Sequence, residues 1–105
     1  MILTTTDAVP GRTIQLTIGV VRGNTVRAAH MKSDVTAWMK NLVGGEVHEY
    51  TKLMAEAREQ ALDRLEAEAR AKGADAIVGL RFVTCEIAEG AAEFLAYGTA
   101  VKLAP

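Results

Sequence analysis

The amino-acid sequence predicts an α+β fold in two layers: a mainly antiparallel sheet in a split β-α-β arrangement, covered on one face by one short and one long helix. Two observations lead to this prediction. An uninterrupted amphipathic pattern runs over residues 46–73, and apolar, strand-like segments stand before and after it. With 105 residues and no linker-like stretch, the chain is expected to form a single domain over residues 1–105.

The long helix is predicted over residues 47–72 by the spacing of its apolar side chains. The segment contains neither proline nor glycine, and the side opposite the apolar stripe is charged and expected to be solvated. Lys72 followed by Gly73 is typical of a helix end, because a cation favours the last turn and glycine accepts a positive φ. The apolar stripe consists of Val47, Tyr50, Met54, Ala57, Ala61, Leu65 and Ala69.

Two strands and a shorter helix are predicted before the long helix. Residues 2–6 form a short strand, and residues 13–22 alternate, with the side chains of 14, 16, 18 and 20 expected on one face. Gly19 indicates a bulge, and Gly23-Asn24 indicates a kink. The shorter helix is predicted from about 33 to 43, with Ser33 as its N-cap.

Two further strands are predicted after the long helix, over residues 74–87 and 93–103, joined by a turn at Glu89-Gly90. The helix returns the chain to the end of the sheet where the 13–22 strand began. The 74–87 strand therefore runs in the same direction as that strand, and the last strand reverses through a hairpin. The simplest arrangement places the last strand between the other two.

Helices on one face of such a sheet leave part of its apolar surface uncovered. Half of all residues are hydrophobic, and burial of a few hundred Å² at about 25 cal/mol per Å² favours association. Self-association is therefore expected. The residues that cannot all lie beneath the helices are Ile77, Val83, Ile87, Leu95, Tyr97, Val101 and Leu103.

Composition excludes several classes of protein. The net charge is −1, so no basic footprint indicates nucleic-acid binding. No apolar run approaches the ~20 residues of a membrane span, and the N-terminus lacks the pattern of a signal peptide. Cys85 is the only cysteine and forms no intrachain disulfide, which favours a cytoplasmic location.

Several short motifs, spread over almost the whole chain and in the same order, resemble the bacterial YbjQ family. They are Thr4-Thr5-Thr6-Asp7, Gly11-Arg12, Gly19-Val20-Val21, Gly44-Gly45, Tyr50, Ala57-Arg58-Glu59, Gly73-Ala74-Asp75-Ala76-Ile77-Val78-Gly79 and Tyr97-Gly98-Thr99-Ala100-Val101. The resemblance implies small α+β subunits, similar to those of dodecins, that assemble as homopentamers. It also implies a candidate role in binding a divalent heavy metal ion, since the family is described in those terms without an established biochemical role.

Three side chains are candidate metal ligands: His30, His48 and Cys85. Nitrogen and sulfur donors suit a divalent heavy metal ion. The sequence contains no Cys-x-x-Cys, no His-x-x-x-His and no acidic calcium loop, so a metal site is expected only across subunits. The competing interpretation makes the histidines surface or cap residues, and Cys85 a small apolar strand residue.

No catalytic residue is predicted, and the chain is not expected to be an enzyme. The carboxylates have no defined partner, the hydroxyls have no evident base, and the glycines do not form a phosphate-binding loop. Two functions remain open. One is an oligomeric protein that holds a metal ion or small ligand between its subunits, and the other is a structural platform for a macromolecular partner.

Overall fold

A computed structural model describes residues 1–28 and 48–105, with the side chains of the helix described from residue 51 onward. The elements in chain order are β1 (Ile2–Leu3), β2 (Ile14–Ala28), α1 (His48–Ala71), β3 (Ala76–Ala88) and β4 (Ala91–Leu103). The predicted α+β class is confirmed. The short helix predicted over 33–43 lies outside the described residues.

The strands of the described chain form one sheet in the order β1-β3-β4-β2. β4 is antiparallel to both of its neighbours, while β1 pairs with β3 in parallel. β2 and β3 therefore run in the same direction with the last strand between them, as predicted. The turn at Glu89-Gly90 that joins β3 to β4 is also confirmed.

Helix α1 buries a stripe of small side chains against the sheet. Ala57, Ala61, Leu65 and Ala69 are fully buried, as the sequence pattern predicts, whereas Met54 of the predicted stripe is 38% exposed. The helix ends at Ala71. Two residues later Gly73 has a φ of +78°, and its N–H donates to the Arg70 carbonyl oxygen at 3.0 Å. The alanines let the helix backbone lie close to the strands, because each has only a methyl group to accommodate.

The core between α1 and the sheet is small and mixes alanine with a few larger residues. Its larger side chains come from the helix, β2 and β3, and β4 contributes two alanines, which explains why the helix and sheet fold as one unit. The buried cluster consists of Val21, Ala61, Leu65, Ala69, Ile77, Leu80, Ala96 and Ala100.

A second buried cluster lies on the opposite face of the sheet, and it corrects the list of uncovered residues. Val101 and Leu103 are buried there against Val9, with Ile14 packed alongside. Ile77 is also buried, beneath the helix. These three residues therefore do not belong to the uncovered apolar surface, as was expected of the seven together. Ile77 is covered by the helix. Val101 and Leu103 are covered by the segment between β1 and β2, which a count of helices does not reveal.

Strand β2 differs from its prediction in two ways. Its pairing with β4 shifts register between Ile14 and Leu16 and again between Thr17 and Gly19. The bulge expected at Gly19 is thus confirmed, but 14, 16, 18 and 20 do not share a face: Ile18 packs against the helix-side core, whereas Val20 is exposed. The pairing with β4 stays in register from Val20 to Ala28, so no bulge interrupts the strand at Gly23-Asn24.

Two side chains of α1 reach the free edge of β2. Glu68 Oε2 accepts a hydrogen bond from the Arg22 N–H at 2.9 Å, and Arg64 Nη1 donates to the Asn24 carbonyl oxygen at 2.6 Å. On the same helix, Arg70 and Glu66 form an ion pair at 2.9 Å. The charged side of the helix is therefore not simply solvated, because part of it caps the backbone of an edge strand.

Candidate functional site

The structure places Cys85 on β3 and leaves the two histidines untested. Cys85 is exposed, and its thiol donates to the Glu86 carbonyl oxygen at 3.6 Å. His48 is the first residue of α1, but its side chain lies outside the described atoms, as does the whole of His30. The competing interpretation, in which Cys85 is a small buried apolar residue of the strand, is wrong, since no described residue covers the β3 segment that carries it.

Cys85 has an acidic neighbour that the sequence did not reveal. It pairs with Glu93 of β4 in the antiparallel register, so the two side chains lie on the same face of the sheet. Asn24 Nδ2 donates to Glu93 Oε2 at 3.2 Å and holds that carboxylate in place. A thiol and a carboxylate thus stand side by side on the face opposite the helix, which we call the outer face.

Two donors are fewer than a metal ion needs. Zinc usually takes four ligands in proteins. Across residues 1–28 and 48–105, the structure brings together no group of three or more His, Cys, Asp or Glu side chains. The Cys85–Glu93 pair is therefore at most half of a coordination shell within the described part of one chain.

The Cys85–Glu93 pair belongs to a hairpin that extends beyond the core. From Arg81 to Gly90 every residue is exposed, and we call residues 81–93 the projecting hairpin. Its apolar side chains include Phe82, Val83 and Ile87, with exposed fractions of 41%, 46% and 55%. The hairpin is exposed on both faces, because the α1 core stops at Leu80 on β3.

Apolar side chains continue from the hairpin across the outer face. Val20 and Val26 of β2 and Tyr97 of β4 are exposed there, next to the partly buried Leu95. The expected exposure of Val83, Ile87 and Tyr97 is confirmed.

The Cα radius of gyration is 17.2 Å, whereas a compact chain of this length has about 13 Å, so the molecule is elongated.

Polar groups in two of the sequence motifs, Asp75 and the Thr4–Thr6 segment, have structural partners. Asp75 Oδ2 accepts from the Leu103 N–H at 2.9 Å, which ties the start of β3 to the end of β4. Thr6 Oγ1 lies 2.8 Å from Thr4 Oγ1 and donates to the Ala8 carbonyl oxygen at 2.6 Å. These contacts organise turns and strand ends.

Arg81 is a structural residue that sequence reasoning missed. Its Nη1 donates to the carbonyl oxygens of Thr5 and Leu80, both at 2.8 Å. These bonds fasten the segment after β1 to the base of the projecting hairpin. No periodicity or motif could have indicated this role. The partners are backbone carbonyl oxygens, and Thr5 lies 76 positions away from Arg81 in the sequence.

Comparison with known proteins decides the family. A model of the YbjQ family, described as "putative heavy-metal-binding", matches residues 1–104. The chain belongs to this family. Its relatives include UPF0145 proteins from Shewanella frigidimarina, 51% identical over all of this chain and 98% of the relative, and from Methanoculleus marisnigri, 55% identical with the same shares. A third, from Archaeoglobus fulgidus, is 53% identical over 98% of this chain and 95% of the relative.

These relatives widen the expected distribution of the family, since organisms such as Archaeoglobus fulgidus are archaeal rather than bacterial. The description of the YbjQ family names heavy-metal binding and no enzymatic activity.

A solved structure supports the fold independently. A DUF74-family protein of unknown function from Pediococcus pentosaceus superposes with a TM-score of 0.68, covering 99% of this chain and 98% of that one at 19% sequence identity. At that identity the likeness establishes the fold alone. Within the described ranges, no helix is long and apolar enough to cross a membrane.

Proposed function

We propose that the protein is a non-enzymatic, cytoplasmic homo-oligomer that binds a divalent heavy metal ion at sites between subunits. The observation that carries the proposal is the projecting hairpin, which presents apolar side chains and the Cys85–Glu93 pair on the same exposed surface. The family description supports the metal. A pentamer is the assembly that the family resemblance implies.

Assembly would supply the further metal ligands that one chain lacks beside Cys85 and Glu93. A neighbouring copy packed on the outer face would bring further donors to the Cys85 thiol and the Glu93 carboxylate. Thiolate, carboxylate and imidazole together suit zinc and similar ions. His30 and His48 are the nitrogen donors that such a neighbour would contribute.

Titration with Zn²⁺ by calorimetry tests the metal site. The variants Cys85→Ser and Glu93→Gln should each weaken Zn²⁺ binding by roughly tenfold or more, because each removes a side chain that binds the ion directly. His30→Ala and His48→Ala test the nitrogen donors. Glu89→Gln is the matched control: it neutralises an exposed carboxylate in the adjoining turn and should leave binding unchanged.

Zinc binding that survives in Cys85→Ser and Glu93→Gln would contradict the proposed ligands. If no Zn²⁺ or Ni²⁺ binds, the alternative gains support. In that case the protein would be a platform whose exposed apolar surface contacts a macromolecular partner, with no small ligand.

A further inference from the structure

The two edges of the sheet, formed by β2 and β3, differ in how many of their outward backbone groups already have hydrogen-bond partners. On β2, the outward N–H of Arg22 and the outward carbonyl of Asn24 already bond to Glu68 and Arg64 of the helix. Capping of this kind blocks the addition of another strand, because the backbone groups that would pair are occupied. The β2 edge is therefore closed at its centre.

Within the described residues, the β3 edge is closed only at its beginning. Gly79 N–H donates to the Thr6 carbonyl oxygen at 2.8 Å, and Leu80 N–H donates to that of Thr4 at 3.0 Å. Beyond Leu80 the strand continues in unbroken register with β4 from Arg81 to Glu86. In such a ladder, backbone groups alternate between the two sides, so those of Phe82, Thr84 and Glu86 point the same way as Leu80.

Among the described residues, no backbone hydrogen bond joins these outward groups to another segment. Their one side-chain contact is local: the Cys85 thiol donates to the Glu86 carbonyl oxygen at 3.6 Å. The segment also lacks the usual protection of an edge strand. Residues 82–86 include no proline and no lysine, and the register shifts of β3 fall on either side of them. A regular, unprotected edge of this length is a template for strand pairing.

We propose that the open edge of β3, from Phe82 to Glu86, is completed by a strand from a second copy of this chain. The inference rests on the proposed homo-oligomer and names the surface that builds it. Backbone pairing would satisfy the outward groups of Phe82, Thr84 and Glu86. It would also place the body of the neighbour against the exposed side chains of the hairpin.

The distribution of exposed area favours a folded copy over a peptide ligand. An added peptide covers an edge and a few side chains, whereas the exposed apolar side chains of β3 lie on both faces: Phe82 on the helix side and Val83 on the outer face. The exposed apolar side chains of the hairpin and outer face amount to several hundred Å². That is a large share of the ~800 Å² that each partner buries in a standard interface.

The charge of the projecting hairpin also favours a second copy of this chain as the partner. The projecting hairpin carries Arg81 beside three carboxylates, those of Glu86, Glu89 and Glu93, which disfavours an anionic nucleic acid or membrane surface. The same chain presents exposed arginines at positions 12, 22 and 58. A second copy therefore offers cations that can face the acidic tip.

A proline at position 84 tests the edge directly. The Thr84 N–H faces the open side and not β4, so Thr84→Pro removes an intersubunit donor while keeping the internal ladder. Thr84→Ala is the matched control, since it shortens the side chain and keeps the N–H. Sedimentation velocity should show Thr84→Pro associating at least about tenfold more weakly than wild type, and Thr84→Ala associating as wild type does.

Hydrogen exchange of the wild type provides a second test that does not require the proline variant to fold. The amides of Phe82, Thr84 and Glu86 should exchange slowly in the assembled protein and faster on dilution to the monomer. Fast exchange of these amides in the assembly, or unchanged association of a folded Thr84→Pro, would overturn the edge proposal while leaving the homo-oligomer standing. A wild-type mass that stays at the 11.2 kDa of one chain would overturn both.

Discussion

Gly23 shows how one residue sets the distance between the helix and the sheet. A Cβ atom at this position would overlap the Ala61 carbonyl oxygen and the Leu65 nitrogen, both of which belong to the helix backbone. Neither atom can rotate away as a side chain would. The sequence indicated a kink here, but the glycine is required by close packing, which depends on a helix 38 residues further along the chain.

Substitution of Gly23 by alanine should therefore be costly. We expect Gly23→Ala to lower the free energy of unfolding by roughly 3 kcal/mol, since the overlap can be relieved only by moving α1 off β2. Gly98→Ala is the comparison: its Cβ would lie 2.7 Å from Ile77 Cγ2, a side-chain atom, and no closer than 3.1 Å to a backbone atom, the Val78 carbonyl oxygen. Urea denaturation should rank Gly23→Ala as the more damaging change, and the reverse order would contradict this account of the helix–sheet contact.

At the scale of elements, α1 and β2 are joined by side-chain bonds as well as by apolar packing. Glu68 accepts from the Arg22 N–H and also lies 3.5 Å from Lys72 Nζ. Glu66, half a turn earlier, pairs only with Arg70 among the described contacts. The two glutamates have similar exposure, 34% and 30% of the side chain, so they form a matched pair for experiment.

Glu68→Ala should destabilise the protein by about 1 kcal/mol, because it leaves a strand N–H without its charged acceptor. It should also speed hydrogen exchange at the Arg22 amide. Glu66→Ala removes a surface ion pair worth about 0.5 kcal/mol or less and should leave that amide protected. Equal exchange at Arg22 in both variants would show that Glu68 does not cap the strand.

The elements that the sequence predicted best are those with local signals. The α1 stripe, its end before Gly73 and the Glu89-Gly90 turn all depend on residues a few positions apart. The strand order followed from the same elements, because a helix and a hairpin leave few ways to connect three strands. Burial of Val101 and Leu103 was missed, since it depends on a distant loop that carries Val9.

The candidate site was predicted less completely than the fold. Cys85 was identified by its chemistry, but its exposure and its pairing with Glu93 depend on the register of β3 and β4. The caps supplied by Arg64 and Glu68 were missed because their partners are backbone atoms of a strand. Such contacts leave no periodicity in the sequence, and only the folded chain reveals which strand edge stays open.

For the whole molecule, the apolar surface and the open edge point to the same conclusion. The core holds the helix and the base of the sheet, while the projecting hairpin has no cover from the described part of the chain. A folded hairpin with both faces in water gains little from burial. Assembly with other copies would bury those faces and would bring the Cys85–Glu93 pair next to donors from a neighbour.

The mass of the wild-type protein in solution tests this account most directly. Sedimentation equilibrium at micromolar concentration should give a whole-number multiple of the 11.2 kDa chain mass, and five times that mass if the assembly is the pentamer implied by the family resemblance. A mass that remains 11.2 kDa over the whole concentration range would contradict the account, because the exposed hairpin would then be stable without a second copy.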